Sequence, residues 1–481
     1  MQNLPESQKS LLTFENELSD DQKAFLQTQI TSLDLSKSDI YFNRVMKNPE
    51  SDDGLEQSKL QPVSSSRTNA GSTEVDAQKW ETLGLEQVKA NKVGVLLLAG
   101  GQGTRLGSAL PKGCLTVGNL SKKTLFQLQI ERLRKVESNG NGKIQFYVMT
   151  SPATNKAICE EFEKENYFGL DKNQVTIFNQ GLLPCFDFSG QVFLKNKSEI
   201  ATAPDGNGGL WKALRKNGIV DHMRENNLEN IHMYCVDNVL TKVADPKFIG
   251  FCVDKNADCA AKCVEKSLPH ESVGVVCTYN GKARVVEYSE ISKEIAEMKD
   301  SEIPEKLAYR AGNICNHYFS VDFIDKASSD EWEDKLVHHI ANKKIPTICL
   351  KTGEAISPES PNGIKLEKFV FDVFEFSESF ALYIDARLQE FSPLKNHEDK
   401  TAGDNARSAR SHLHRLHHSW VLAAGGKFKN DEANVISESL DFSDKSKDYK
   451  FQVEVSPLVS YAGEGLNDLC DGKVFDLPLS L

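Results

Sequence analysis

The densest run of chemistry-capable residues is Leu98-Ala99-Gly100-Gly101-Gln102-Gly103-Thr104-Arg105-Leu106-Gly107, with Pro111-Lys112-Gly113 just beyond it. Glycines let backbone N–H groups close on phosphate oxygens, Arg105 and Lys112 can neutralise charge, and a following helix start adds a favourable dipole. The pattern predicts a cradle for the phosphates of a nucleotide. It departs from the dinucleotide fingerprint: Gly101 and Gly103 fit the first two positions, but the third glycine, Gly107, arrives one residue late. No Gly-Lys-Ser/Thr closes it as a Walker A loop either.

Asp237 is the first acidic residue after the apolar run Ile231-His232-Met233-Tyr234-Cys235-Val236. A hard cation such as Mg²⁺ or Mn²⁺ takes carboxylate and phosphate oxygens and keeps several waters, so one protein carboxylate can suffice there. The structural alternative is an aspartate that caps a helix or turn. Asp205-Gly206-Asn207-Gly208-Gly209 predicts a turn with positive φ angles. His412, His414, His417 and His418 resemble a metal site at first sight. Only His414 and His418 stand at i, i+4, however, and Leu413, Leu416 and Trp420 make an apolar stripe, so the segment reads as a structural helix.

These residues need elements that position them. Val93-Gly94-Val95-Leu96-Leu97-Leu98-Ala99 is a short apolar run ended by glycines, the pattern of a strand buried on both faces. From Thr124 to Val136, Leu125, Leu128, Ile130 and Leu133 recur at helical period. Strand, glycine loop and helix together predict an α/β fold. The runs 144–149, 231–236 and 273–277 repeat the strand pattern, and ligands of an open α/β sheet sit at carboxyl ends of strands. That makes Thr150-Ser151-Pro152 and Asp237-Asn238 floor positions.

Residues 10–46 read as a small helical lead-in, and 61–72 as a loop or linker, a mobile surface segment. Residues 451–455 and 457–461 alternate like strands. The expected division is an N-terminal helical region and linker over 1–85, a central α/β domain with a mixed sheet over 86–390, and a small C-terminal β-containing domain over 391–481.

Composition narrows the function classes. A net charge of −12 on 481 residues argues against broad binding to nucleic acid or anionic lipid, so phosphates must be met by a local basic site. Eleven cysteines, an odd number without Cys-x-x-Cys spacing, predict reduced thiols. No secretory pattern opens the sequence and no apolar run approaches membrane-spanning length, which points to the cytoplasm, where the sequon at Asn196-Lys197-Ser198 carries no glycan.

The loop signature resembles that of the sugar nucleotidyltransferases, and the chain is similar to the eukaryotic UDP-N-acetylhexosamine pyrophosphorylases of the UDPGP type 1 family. Separate blocks carry the likeness: 203–209, 234–238, 285–290, 312–314, 361–372 and 391–396. The resemblance implies a Rossmann-like, GT-A-like nucleotidyltransferase domain. It places Leu98, Ala99, Gly100, Gly101 and Lys112 against the nucleotide, with Gln180 and Gly206 selecting uracil, Lys365 contacting UTP and Asp237 holding the metal. It assigns Asn207, Glu287, Tyr288, Asn313, Phe369 and Phe371 to the sugar, and Arg105, Lys112 and Lys395 to the reacting phosphates. On residue type alone, Gln180, Lys365 and Lys395 read as surface residues and the two phenylalanines as core.

The implied reaction joins UTP and N-acetylglucosamine 1-phosphate, or N-acetylgalactosamine 1-phosphate, into a UDP-N-acetylhexosamine and pyrophosphate, the last step of UDP-N-acetylglucosamine synthesis. Two alternatives stand beside it. One is uridylyl transfer to another sugar such as glucose 1-phosphate; the other is a catalytically silent nucleotide-sugar binder. The expected state is a monomer or a homodimer.

Overall fold

A run without polar residues is stable as a strand only where both faces are covered, and every residue of β1 (Val93–Leu98) is buried. With β2 (Gln145–Thr150), β3 (Val175–Asn179) and β4 (Asn230–Cys235) it makes the parallel half of a sheet, in the order β4-β1-β2-β3. The other half comprises β5 (Cys259–Glu265), β6 (Val275–Tyr279), β7 (Lys282–Val286), β8 (Ala311–Ser320) and β9 (Phe380–Asp385), with the short strand Leu60–Gln61 antiparallel to β6. β8 runs antiparallel to β4 and also pairs with β5 and β6, while β9 lies parallel to β5. The sheet is mixed, as expected. The computed structural model describes residues 4–47, 56–266, 268–399, 403–429, 435–436 and 452–481.

The chain folds as two units, each assembled from three stretches. One takes Met1–Ser58, Gln180–Asn217 and Ala327–Val373; the other takes Lys59–Asn179, Gly218–Lys326 and Phe374–Leu481 and contains the sheet just described. In the larger unit, helix Leu125–Gly140 starts on Thr124, whose side chain accepts from the Gln127 N–H, and stops at Asn141 in the left-handed region. Its Leu125, Leu128, Ile130 and Leu133 pack with Val95, Leu97 and Val148. Helices Glu74–Lys89 and Pro246–Asp254 touch backbone to backbone: a Cβ on Gly250 would stand 1.7 Å from the Trp80 carbonyl oxygen.

Residues 61–72 differ from the expected mobile linker. The Arg67 guanidinium donates to the carbonyls of Lys255, Ser379 and Phe380, and Asn69 exchanges two hydrogen bonds with Ile384, so the segment is tied to the edge of β9. The C-terminal helix Ala406–Ala423 shares the main core through Leu413 and Leu416. Its histidines are structural, as their pattern implies: His414 Nδ1 donates to the Val453 carbonyl, His417 Nδ1 accepts from the Val455 N–H, and His418 stacks on Phe428. Burial pushes His417 down to about 3, which keeps that acceptor neutral. The run 457–461, expected as a strand, is instead a turn in which Val459 and Ser460 N–H both donate to the Ser456 carbonyl. Val453–Glu454 does form a strand, whereas Phe451 lies outside the described residues.

In the smaller unit the N-terminal helices Asp20–Ser32 and Leu35–Lys47 are more than a lead-in. Leu26, Ile30, Tyr41 and Phe42 share one core with Phe186, Ile200, Ile348 and Ile364. Among the described residues no helix is long and apolar enough to cross a membrane.

Candidate active site

In the larger unit the candidate residues gather at the carboxyl ends of β1 and β4. β1 passes its register on to the loop, since the Ala99 N–H still bonds to the Met149 carbonyl. Leu98 and Ala99 are buried, Gly100 is half-buried with its carbonyl held by the Ser151 hydroxyl at 2.9 Å, and Gly101 is exposed. A Cβ on Gly101 would meet nothing within 4 Å, so neither packing nor a positive φ demands glycine there. Gly103, by contrast, backs onto the Leu110 carbonyl oxygen, which a Cβ would approach to 2.6 Å, and Gly107 has φ +71°. Arg105 projects from the short turn Thr104–Leu106 and is exposed.

Lys112 begins the next turn, directly after Pro111. Its Nζ donates to the Leu394 carbonyl at 2.9 Å and lies 3.4 Å from Asp237 Oδ2. Asp237 follows β4, and its backbone carbonyl accepts from the Leu394 N–H at 2.8 Å. The neighbouring Asn238, expected with Asp237 on the floor of the cleft, is buried and clamps the same two segments. Its Nδ2 donates to the Glu390 carbonyl at 2.7 Å and its Oδ1 accepts from the Ser392 N–H at 2.9 Å. Lys112, Asp237 and the segment carrying Lys395 therefore form one constellation. Lys395 itself is exposed, with its Nζ 5.7 Å from the Phe391 ring centroid and its N–H bonded to the Asp404 carbonyl.

Glu287 and Asn313 meet across Gly274. The Asn313 N–H donates to the Gly274 carbonyl at 2.8 Å, and a Cβ on Gly274 would stand 3.0 Å from Glu287 Oε1. Asn313 Oδ1 also accepts from the Cys315 N–H, where β8 shifts register against β5. Tyr288 is exposed.

The smaller unit brings the other candidates together. Gly206 has φ +83°, and a Cβ there would stand 2.4 Å from the Lys368 carbonyl oxygen, so only glycine fits. Gln180 is buried, its Nε2 3.3 Å from the Gly206 carbonyl and 3.4 Å from Asp205 Oδ1. Asn207 Oδ1 accepts from the Val370 N–H, and Gly208 N–H donates to the Lys368 carbonyl, fastening this turn to residues 368–370. Phe369 and Phe371 are half-buried and stack on each other at 5.2 Å, and His339 also stacks on Phe369, at 4.2 Å. Lys365 is half-buried on strand Gly363–Glu367. A Gly206→Ala variant is expected to destabilise the smaller unit by about 1–3 kcal/mol, because either φ or the contact with Lys368 must give; urea unfolding checks this.

Two acidic settings could hold a cation. Asp237 is a single half-buried carboxylate beside open loop residues, which suits an ion that takes most of its ligands from phosphates and water. The buried trio Asp245, Asp385 and Glu390 comes close enough for a metal. It already encloses a cation, since Lys262 Nζ stands 2.6 Å from Asp245 and 2.8 Å from Glu390.

A family model described as UTP–glucose-1-phosphate uridylyltransferase matches residues 36–457. The chain is 43% identical over 438 residues to the UDP-N-acetylglucosamine pyrophosphorylase of Saccharomyces cerevisiae, covering 90% of this chain and 86% of that one. It is 48% identical over 410 residues to the human UDP-N-acetylhexosamine pyrophosphorylase-like protein 1, with 84% and 80% covered. The solved uridine diphosphate N-acetylglucosamine pyrophosphorylase of Trypanosoma brucei superposes with a TM-score of 0.78 at 29% identity, over 97% of this chain and 93% of that one. The match runs through both units and every residue grouped above, and the chain belongs to the UTP–glucose-1-phosphate uridylyltransferase family.

Proposed function

We propose that this protein transfers uridylate from UTP to N-acetylglucosamine 1-phosphate, releasing pyrophosphate and forming UDP-N-acetylglucosamine. The observation that carries the reading is the convergence of Lys112, Asp237 and the 390–395 segment at the ends of β1 and β4, in a chain similar over nine-tenths of its length to a yeast enzyme so named. A phosphate oxygen of the sugar 1-phosphate attacks the α-phosphorus of UTP in line, the new P–O bond forms, and the bond to pyrophosphate breaks. The nucleophile is already an anion, so the step needs positioning and charge neutralisation rather than a base.

In this reading Leu98 to Gly101 pass their backbone close to the nucleotide, and the open space at Gly101 supports that role. Gln180 and Gly206 read uracil, and Lys365 contacts UTP. Arg105, Lys112 and Lys395 meet the charge that builds on the phosphates. Asn207, Glu287, Tyr288 and Asn313 hydrogen-bond the sugar, and Phe369 and Phe371 border it. Asp237 would hold Mg²⁺ or Mn²⁺, which supplies Lewis-acid neutralisation at the phosphates when bound. We place the reaction in the cytoplasm; eleven free thiols support a reducing compartment.

The test is pyrophosphate release with UTP and Mg²⁺ across N-acetylglucosamine, N-acetylgalactosamine and glucose 1-phosphates. Release with the N-acetylated sugars is expected, with glucose 1-phosphate slower by on the order of a hundredfold, because it leaves the acetamide partners unpaired. A preference for glucose 1-phosphate overturns the reading.

A further inference from the structure

A carboxamide is an ambiguous reader, because one end donates and the other accepts. Uracil presents an N–H at N3 beside the O4 acceptor; cytosine presents a bare N3 beside a 4-amino donor. Which way Gln180 is turned therefore decides which pyrimidine it can accept. Its surroundings leave one choice. The two groups facing its Nε2 are the Asp205 carboxyl, which accepts from it, and the Gly206 carbonyl, which has no proton to give. These two acceptors take both Nε2 protons, and the Gln180 oxygen, turned away from them, is the end left to meet a ligand.

Asp205 is itself held in a single place. It is buried, its carbonyl accepts from the Lys368 N–H at 2.9 Å, and its carboxylate is wedged between two glycines. A Cβ on Gly209 would stand 1.8 Å from Asp205 Oδ1, and one on Gly181 2.5 Å from Oδ2. Burial pushes the Asp205 carboxyl up, and the nearby Lys368 ammonium opposes that shift. An acidic side chain enclosed this tightly, with its carboxylate set against the amide of Gln180, is costly unless it orders something.

We propose that Asp205 is a specificity-determining positioning residue: it locks the Gln180 amide so that Oε1 meets the uracil N3–H, which turns away cytosine, whose N3 carries no proton. This rests on the reading of Gln180 as the uracil contact. With cytosine, the locked amide would set its oxygen against a bare ring nitrogen, two acceptors left unpaired in a buried setting.

The experiment compares kcat/KM for UTP and CTP in the unaltered protein, Gln180→Ala, Asp205→Asn and Asp205→Ser. The unaltered protein is expected to prefer UTP by at least about a hundredfold. Asn and Ser can both donate to Gln180 Oε1 and so permit the flipped amide; the UTP:CTP ratio is expected to fall by about tenfold or more while kcat with UTP changes less. The fall is partial, because the Gly206 carbonyl still favours the original orientation. An unaltered protein that takes CTP within a few-fold of UTP overturns the proposal even if neither Asp205 variant folds. A ratio unchanged in the Asp205 variants but collapsed in Gln180→Ala overturns it and leaves the uracil contact standing. A ratio unchanged in Gln180→Ala removes the uracil contact itself.

Discussion

Lys112→Ala is expected to lower kcat for uridylyl transfer by about 10²–10³-fold, the usual cost of deleting one preorganised donor from a charge-stabilising site. Two losses combine. The ammonium meets charge developing on the phosphates, and its hydrogen bond to the Leu394 carbonyl holds the segment that carries Lys395 beside Asp237. The cost to the fold is smaller. The Leu394 carbonyl loses its Lys112 donor, about 1–3 kcal/mol, and the 3.4 Å contact with Asp237 adds about 0–1 kcal/mol. The thermal midpoint therefore falls by several degrees, with the protein still folded at the assay temperature while turnover collapses. Lys112→Arg should restore little, because a planar fork does not replace a point charge that also caps a carbonyl. Steady-state pyrophosphate release under saturating UTP decides it, and a kcat within threefold of the original would remove Lys112 from the chemistry.

The same loop shows why much of the site is legible in the sequence. Gly103 and Gly107 answer local backbone demands, and such demands are written locally. β1 and helix Leu125–Gly140 are equally readable, since an unbroken apolar run and a 3.6-residue period each have one economical burial. What the sequence hides is pairing at a distance. Nothing near Asn238 signals that its amide clamps Glu390 and Ser392, and nothing near Asp205 signals that it faces Gln180. The segments that depart from expectation do so for the same cause. Residues 61–72 look like a polar linker until Arg67 finds the carbonyls at the edge of β9, and 457–461 alternates like a strand although Ser456 gathers its N–H groups into a turn.

Hidden pairing is most consequential in the buried cluster of Lys242, Asp245, Lys262, Asp385 and Glu390, each of which reads as a surface residue by type. Lys262→Met is expected to destabilise the larger unit by about 3–5 kcal/mol, the cost of leaving buried charges without their partner. The Lys262 side chain has no exposed surface, and its Nζ lies 2.6 Å from Asp245, 2.8 Å from Glu390 and 3.6 Å from Asp385. Burial alone would lower its pKa, but the carboxylates around it prevail and hold it well above its ordinary value. Methionine fills most of the volume, so the loss reports charge rather than a cavity. Three carboxylates then face the single ammonium of Lys242. Relief must come from protonation, and Glu390, fully buried and already pushed up by that burial, is the group to take the proton. A carboxyl whose folded pKa is raised contributes stability below its unfolded pKa and loses it as pH rises through the folded value. The deficit of the variant should therefore be largest at alkaline pH and shrink as pH falls toward about 5. Urea unfolding of both proteins across that range measures it: a deficit below about 1 kcal/mol, or one that grows on acidification, would mean that Lys262 is not the counter-ion that holds this cluster together.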